Sequence, residues 1–177
     1  MNARSDEELM RRVREGDDPS AFDALFRRYA GKLNAFFLRQ IGDPEAARDL
    51  VQQSFLQLHR ARRDYQPGAP FRPWIYTIAA NLRRMHHRRR ARKPEVAYEP
   101  DAHEPSVGPK ASTPEQRAVR RALMAVNEGQ REVLILHWYQ GLPMEEVAQV
   151  LGISRSAAKV RAHRAYKALQ ALLGEDK

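Results

Sequence analysis

The fold class is decided by the stretch from Gly141 to Leu169, which reads GLPMEEVAQVLGISRSAAKVRAHRAYKAL. It predicts a short helix, a glycine turn at Gly152 and a longer helix. Ser154 can cap the longer helix, because its hydroxyl can accept a hydrogen bond from a free backbone N–H. A short helix, a tight turn and a basic second helix are typical of a motif that places a helix in a DNA groove.

The longer helix, expected over residues 155–173, has one apolar face and one basic face. No acidic residue occurs between Val147 and Gly174. At about 100° per residue, small and apolar side chains form a narrow core stripe, which comprises Ala158, Ala162, Ala165, Leu169 and Leu172. The opposite and flanking faces carry Ser156, Lys159, Val160, His163, Arg164 and Lys167. Lysine and arginine can neutralise phosphates or reach guanine edges, and Val160 suits contact with a thymine methyl. A solvated helix with scattered cations is the alternative interpretation.

The composition favours a polyanionic partner. The 177 residues include 31 Lys and Arg against 22 Asp and Glu, a net charge of +9, which favours nucleic acid or an anionic membrane surface as the partner. There is no cysteine, which excludes disulfides and thiolate metal sites and is compatible with a reducing cytosol. The charged N-terminus lacks the apolar run of a signal peptide, and no stretch is long enough to span a bilayer. We therefore expect a soluble, cytoplasmic protein without membrane insertion.

Three zones divide the chain, and helical periodicity without strand alternation predicts an all-α fold of two small helical domains. The expected divisions are a first domain over 1–93, a flexible, acidic, Pro-rich linker over 94–114 and a second domain over 115–177. Five prolines fall in the linker, and they forbid a continuous helix there. The expected helices cover residues 5–15, 19–40, 44–63, 71–91, 115–127, 129–140, 144–151 and 155–173.

Two features of the first zone point to binding. Leu56 is expected to be exposed among polar residues of helix 44–63, which suggests a protein-binding patch. An isolated surface leucine without a binding role is the alternative interpretation. The loop that follows contains Tyr65, which is a candidate for base contact. Phe71 and Trp74 have the helical spacing of core residues. The expected core side of the next helix comprises Trp74, Ile75, Ile78, Leu82 and Met85.

That next helix ends in a dense basic run. Seven cations occur in the eleven residues from Arg83 to Lys93, which predicts a phosphate-binding surface. Aromatic side chains beside such a surface suit single-stranded DNA. The six histidines show no metal-ligand spacing with carboxylates, and no P-loop, dinucleotide loop or nucleophile motif is present. We therefore expect no enzyme activity, no cofactor and no metal site.

Three blocks of the sequence resemble a known family, the extracytoplasmic-function (group 4) sigma factors of bacterial RNA polymerase. DPEAARDLVQQSFLQLHRAR at 43–62 and FRPWIYTIAANLRR at 71–84 resemble the region 2 domain of that family. EGQREVLILHWYQGLPMEEVAQVLGISRSAAKVRAHRA at 128–165 resembles its region 4 domain. The region 2 and region 4 stretches in this order, joined by a linker of this length, are specific to the family.

The resemblance implies a role for each group of residues. Contact with the clamp helices of the largest subunit of core RNA polymerase would involve Asp49, Gln52, Gln53 and Leu56. Capture of a flipped base of the promoter −10 element, with nearby phosphates, would involve Tyr65, Gln66, Pro67, Gly68, Ala69, Phe71, Arg72, Asn81, Arg84 and Arg88, and Arg83 would hold a further phosphate. Reading of the −35 element would involve Lys159, Val160, His163 and Arg164, assisted by Arg155, Ser156, Arg161 and Lys167. The resemblance also implies an anti-sigma factor as a partner and no obligate homo-oligomer.

The sequence departs from the family pattern in a few places. Family members often have Glu where Gln53 stands and Ser or Thr where Pro143 stands. Two other hypotheses compete with a promoter-specificity subunit. A stand-alone helix-turn-helix regulator would explain the last zone but not the aromatic loop and arginine run. An RNA-binding or membrane-surface module would explain the arginine run but not the groove helix.

Overall fold

The computed structural model describes residues 4–92 and 113–174, and these residues form helices joined by short turns, with no strand among them. This confirms the predicted all-α class. The helices are α1 (Asp6–Gly16), α2 (Pro19–Ile41), α3 (Pro44–Arg60), α4 (Phe71–Arg92), α5 (Pro114–Ala125), α6 (Glu128–Leu134), α7 (Met144–Leu151) and α8 (Arg155–Gly174). A 3-10 turn, Arg62–Asp64, follows α3, and a π-helical turn, Ile135–Tyr139, follows α6.

Local sequence sets where these helices begin and end. Asp18 and Asp43 accept hydrogen bonds from free backbone N–H groups at the starts of α2 and α3, and a proline follows each of them. Gly42 and Gly152 end α2 and α7 in the left-handed region, with φ of 80° and 66°. The predicted glycine turn between the two last helices is therefore confirmed.

Two predicted helices end three or more residues before the position that their sequence periodicity indicated. The helix expected over 44–63 ends at Arg60. The helix expected over 129–140 changes after Leu134 into the π-helical turn, where the N–H of Gln140 bonds the carbonyl of Ile135. A five-residue hydrogen-bond spacing adds a residue to one turn, and the apolar pattern of the sequence does not reveal it.

The first half of the chain (α1 to α4) and the second half (α5 to α8) each have buried side chains of their own. In the first half, α2 packs on α1 and α3, and α3 packs on α4. In the second half, α8 packs on α5, α6 and α7, and Ala158 and Ala165 are fully buried at these contacts. Alanines leave room for close helix approach, so the predicted small-residue stripe of α8 is confirmed. Met85 is 43% exposed, and its expected place on the core side of α4 is wrong.

The two halves also pack directly against each other. Helix α4 contacts α7, and α2 contacts α5, α6 and the π-helical turn, so that one apolar core runs through both halves. The proposed linker lies largely outside the described residues. Pro114, which the sequence analysis placed at the end of the linker, is the first residue of α5, and Thr113 caps that helix.

Candidate nucleic-acid interface

Helix α8 presents its predicted reading face to solvent. The hydroxyl of Ser154 accepts a hydrogen bond from the N–H of Ala157 at 3.1 Å, which confirms the predicted cap. Most residues predicted to take part at the −35 element are exposed, namely Arg155, Ser156, Lys159, Val160, His163, Arg164 and Lys167. Val160 is 50% exposed, although an isolated valine gains nothing from contact with water. The face therefore combines cations, a hydroxyl and an apolar contact.

The charges of this face are available to a ligand. Within residues 4–92 and 113–174, neither Lys159 nor Arg164 forms an ion pair. Arg155 differs from them, because its guanidinium pairs with Glu145 of α7 at 2.7 Å. Arg161 is only partly exposed. The centre of the face, rather than its N-terminal edge, therefore carries the unpaired positive charge.

Helix α4 contains the second predicted reading surface, and there two of the arginines, Arg83 and Arg84, are engaged by carboxylates. Arg83 is 5% exposed and pairs with Glu128 at 3.1 Å and Glu132 at 3.2 Å. Arg84 reaches Glu132 at 3.4 Å and donates to Asn81 at 2.9 Å. We call Arg83, Arg84, Glu128 and Glu132 the ion cluster. The expectation that Arg83 holds a phosphate is wrong for this arrangement, because its side chain is buried between the halves.

Further contacts fasten the two halves beside the ion cluster. Arg72 of the predicted −10 loop donates to the carbonyl of Gln140 at 2.5 Å, and the Tyr76 hydroxyl donates to the Gln140 side chain at 2.7 Å. On the other side, the His87 ring lies 2.7 Å from Glu128. Burial lowers the pKa of the neighbouring His86.

Arg131 connects the two halves through a backbone carbonyl rather than through a carboxylate. Its guanidinium donates to the carbonyl of Gln40 in α2 at 2.9 Å. Its other hydrogen bonds go to three carbonyls of its own half, those of Leu123, Met124 and Val126. Burial lowers the pKa of Arg131 below its usual value. This role of Arg131 could not be predicted from the sequence, because a single arginine within an amphipathic helix carries no signal of its partners.

The predicted −10 loop is buried where it joins the flanking helices and exposed at its tip. Tyr65 is fully buried, its hydroxyl donates to the carbonyl of Ala69, and its ring packs edge-on against Trp74 at 5.2 Å. Tyr65 therefore holds the loop together and is not accessible for base contact in this arrangement, and its role at the −10 element stays a prediction. Phe71 is also fully buried. The exposed residues of the loop tip are Gln66, Pro67 and Gly68, and on α4 Asn81 and Arg88 are exposed as well.

An apolar surface lies on α2 and α3. Leu56 is 50% exposed, as predicted, and Asp49 and Gln52 are exposed on the same helix, with Gln53 partly so. Phe22 and Phe26 of α2 extend this surface. Their rings lie 6.0 and 4.7 Å from that of Phe55, and Phe26 is 40% exposed. This phenylalanine pair was not predicted from the sequence, although its spacing of four residues places both rings on one face of a helix.

The described residues lack the features of a metal site and of a membrane span. Across 4–92 and 113–174, no group of three His, Cys, Asp or Glu side chains is arranged to hold a metal ion. In the same part of the chain, every helix is too short or too polar to cross a membrane.

Comparison with known proteins assigns both halves to one family. Residues 25–93 match the family model for sigma-70 region 2, and residues 116–169 match that for sigma-70 region 4. The chain is 38% identical over 168 residues to the RNA polymerase sigma factor CarQ of Myxococcus xanthus, covering 94% of this chain and 96% of CarQ. Other relatives of similar identity bear the name ECF RNA polymerase sigma factor.

Solved structures show the same arrangement of helices. The structure of CnrH from Cupriavidus metallidurans, in complex with the cytosolic domain of CnrY, has a TM-score of 0.75 at 31% identity and covers 97% of this chain and 99% of CnrH. That of the sigma factor RpoE with the anti-sigma factor NepR from Bartonella quintana has a TM-score of 0.70 at 25% identity, over 88% and 98% of the two chains.

These findings define the class as a two-part, all-helical transcription initiation factor. The chain belongs to the sigma-70 family of RNA polymerase sigma factors, in its extracytoplasmic-function (ECF) group. Because both halves match, a stand-alone helix-turn-helix regulator does not account for the chain.

Proposed function

We propose that this chain binds core RNA polymerase and directs it to promoters by reading two DNA elements. Helix α8 reads the −35 element through Lys159, Val160, His163 and Arg164, and the loop before α4 captures a base of the −10 element. The observation that carries the proposal is the exposed face of α8, whose central cations have no carboxylate partner among the described residues. Such a face can neutralise phosphates and reach base edges in the major groove.

The surface for core polymerase is the exposed side of α3 with the adjoining part of α2. Asp49, Gln52 and Gln53 supply polar contacts, and Leu56 and Phe26 supply apolar area that is exposed in the free chain. Removal of such area from water is favourable by about 25 cal/mol per Å² and offsets part of the entropic cost of association. The clamp helices of the largest polymerase subunit are the proposed partner. The chain acts in the cytoplasm and catalyses no reaction of its own.

An anti-sigma factor is the proposed inhibitor. CnrH was solved with the cytosolic domain of CnrY, and RpoE with the anti-sigma factor NepR. The similarity of this chain to both sigma factors supports an equivalent partner here. The direct contacts between the halves bear on the same regulation, because Arg72 and Arg84 are engaged by the second half. Reading of the −10 element therefore requires the halves to separate.

The test is reconstitution with core polymerase. We expect the purified chain to bind the core enzyme and to direct transcripts from DNA fragments that the holoenzyme selects from a genomic pool. Leu56→Asp should weaken core binding at least about tenfold, because it places a charge where apolar area is buried. Gln57→Ala, at an exposed neighbouring position, is the matched control and should bind normally. A chain that binds no core enzyme and directs no transcript would refute the proposal.

A further inference from the structure

Helix α4 begins without a capping residue of its own. Its first residue, Phe71, follows a proline, and its first turn contains no acidic side chain. The first N–H groups of a helix lack partners within the helix and carry partial positive charge. Here the N–H of Phe71 donates to the carboxylate of Glu7 at 3.1 Å. The cap therefore comes from α1, 64 residues earlier in the chain.

The first turn of α1 is held in place by the neighbouring acidic residue. Asp6 accepts hydrogen bonds from Arg28 at 2.6 Å and from the hydroxyl of Tyr29 at 2.5 Å. The Tyr29 ring in turn packs edge-on against the Phe71 ring at 5.1 Å. Two consecutive carboxylates of α1 thus fix Phe71, with Glu7 acting on its backbone and Asp6 acting through Tyr29 on its ring.

The same carboxylates lie beside the other end of the −10 loop. Burial raises the pKa of Tyr65 to about 12, and the negative charges of Glu7 and Asp6 contribute to that rise. Tyr65 fastens the start of the loop to Ala69 through its hydroxyl. Glu7 is therefore close to both anchors of the loop, Tyr65 at its start and Phe71 at its end.

We propose that Glu7 is a positioning residue for −10 recognition, which fixes the end of the loop at Phe71 and thereby the exposed tip from Gln66 to Gly68. Glu7 itself does not touch DNA. Helix α1 lies outside residues 25–93, which match the region 2 family model, so the family match assigns it no role. The inference rests on the proposed function, since a fixed loop matters only if the loop captures a base.

The test compares three variants of the full chain assembled with core polymerase. Glu7→Ala removes the cap. Glu7→Gln retains an oxygen that can accept the N–H of Phe71 but removes the charge. Glu8→Ala, at the exposed neighbouring position, is the matched control. The DNA is a promoter fragment selected with the wild-type holoenzyme, with 2-aminopurine at single positions of its −10 element to report base extrusion. A −35 duplex without the −10 element is the second probe.

We expect Glu7→Ala to reduce base extrusion and promoter opening about tenfold, the scale set by loss of a helix cap, with unchanged affinity for the −35 duplex. Glu7→Gln should recover most of this loss, and Glu8→Ala should match the wild type. Amide hydrogen exchange at Phe71 should be faster in Glu7→Ala, a measurement that requires no promoter.

Three results would overturn the inference. One is normal promoter opening by Glu7→Ala. Another is an equal loss for the −10 and −35 probes that follows a lower unfolding midpoint, which would mark a general structural role. The third is unchanged hydrogen exchange at Phe71. A wild-type holoenzyme that opens no promoter would instead refute the proposed function, and this inference with it.

Discussion

Helices α4 and α8 are both basic, but they differ in whether their cations have carboxylate partners in the folded chain. Helix α8 has unpaired cations at the centre of an exposed face, and no acidic residue occurs from Val147 to Gly174. Helix α4 has the denser arginine run, yet Arg83 and Arg84 are paired with carboxylates of α6. A high density of positive charge therefore does not make a surface available to DNA. The partners of that charge in the folded chain decide its availability.

This difference predicts an order of events. The α8 face can meet a −35 element while the halves remain packed, because its central side chains contact solvent. The α4 face can meet a −10 element only after Glu132 releases Arg84 and Gln140 releases Arg72. Phosphates and the carboxylates of α6 thus compete for the same guanidinium groups.

The largest expected effect comes from locking the halves together. The chain has no cysteine, so His87→Cys with Glu128→Cys creates a unique pair where the native side chains lie 2.7 Å apart. A short, reducible bis-maleimide across this pair should lower promoter opening by about a hundredfold, because phosphate contacts and the base pocket are lost together. Binding of a −35 duplex should change little. Promoter opening and binding of the −35 duplex are measured before and after reduction of the cross-link.

The control for this experiment is a cross-link within one half. Arg11→Cys with Glu15→Cys replaces an exposed pair within α1, and the same reagent should leave promoter opening unchanged there. Normal opening by the chain with locked halves would contradict the predicted order of events.

A smaller effect is expected from weakening the ion cluster. Glu132 is 3% exposed and pairs with both Arg83 and Arg84. Glu132→Gln leaves a buried guanidinium with less compensation, and loss of one partner of a buried ion pair costs about 3–5 kcal/mol. We expect the lower end of that range, because Glu128 still contacts Arg83. Fluorescence energy transfer between labels on the two halves should show separation.

Glu128→Gln is the matched comparison for that variant. The Glu128 side chain is 42% exposed, so solvent screens its charge and its loss should matter less. Equal energy transfer in the wild type and Glu132→Gln would show that the ion cluster does not hold the halves together.

The smallest expected effects concern individual cations of α8. Arg164→Ala should cost about 1–3 kcal/mol and relax the preference at one base pair if Arg164 reads a base edge. A uniform loss across promoters, with a shallower salt dependence, would identify a phosphate contact instead. Arg155→Ala is the control on the same helix, because Arg155 is already engaged by Glu145 and should matter less. Sequencing of DNA bound by each variant distinguishes these outcomes.

Much of the fold could be predicted from local sequence. All eight helices were expected, and the start of α3 followed from Asp43 with its proline. The buried face of α8 followed from its alanine spacing, since Ala158 and Ala165 are fully buried. These features depend on contacts within a few residues or on a single period. The π-helical turn after Leu134 was missed, because it continues a helical pattern with a different hydrogen-bond spacing.

The site was less predictable where it depends on distant residues. Arg83 belongs to an arginine run in the sequence, and its burial follows from packing against Glu132, which lies far along the chain. Tyr65 was a candidate for base contact because it lies in a loop, but its ring is buried and its hydroxyl donates to a carbonyl within that loop. An amphipathic side chain in a loop fits either place, and only the three-dimensional arrangement decides between them.

The hydrogen bonds of Arg131 make separation of the halves reversible at low entropic cost. Only its bond to the Gln40 carbonyl crosses between the halves, and its other three remain within the second half. In the proposed separated state, those three hydrogen bonds would still hold the side chain, so return to the packed state would not require it to be ordered again. Immobilising a free arginine costs up to about 2 kcal/mol. Arg131 therefore acts as a preorganised docking point, to which α2 can return after each round of initiation.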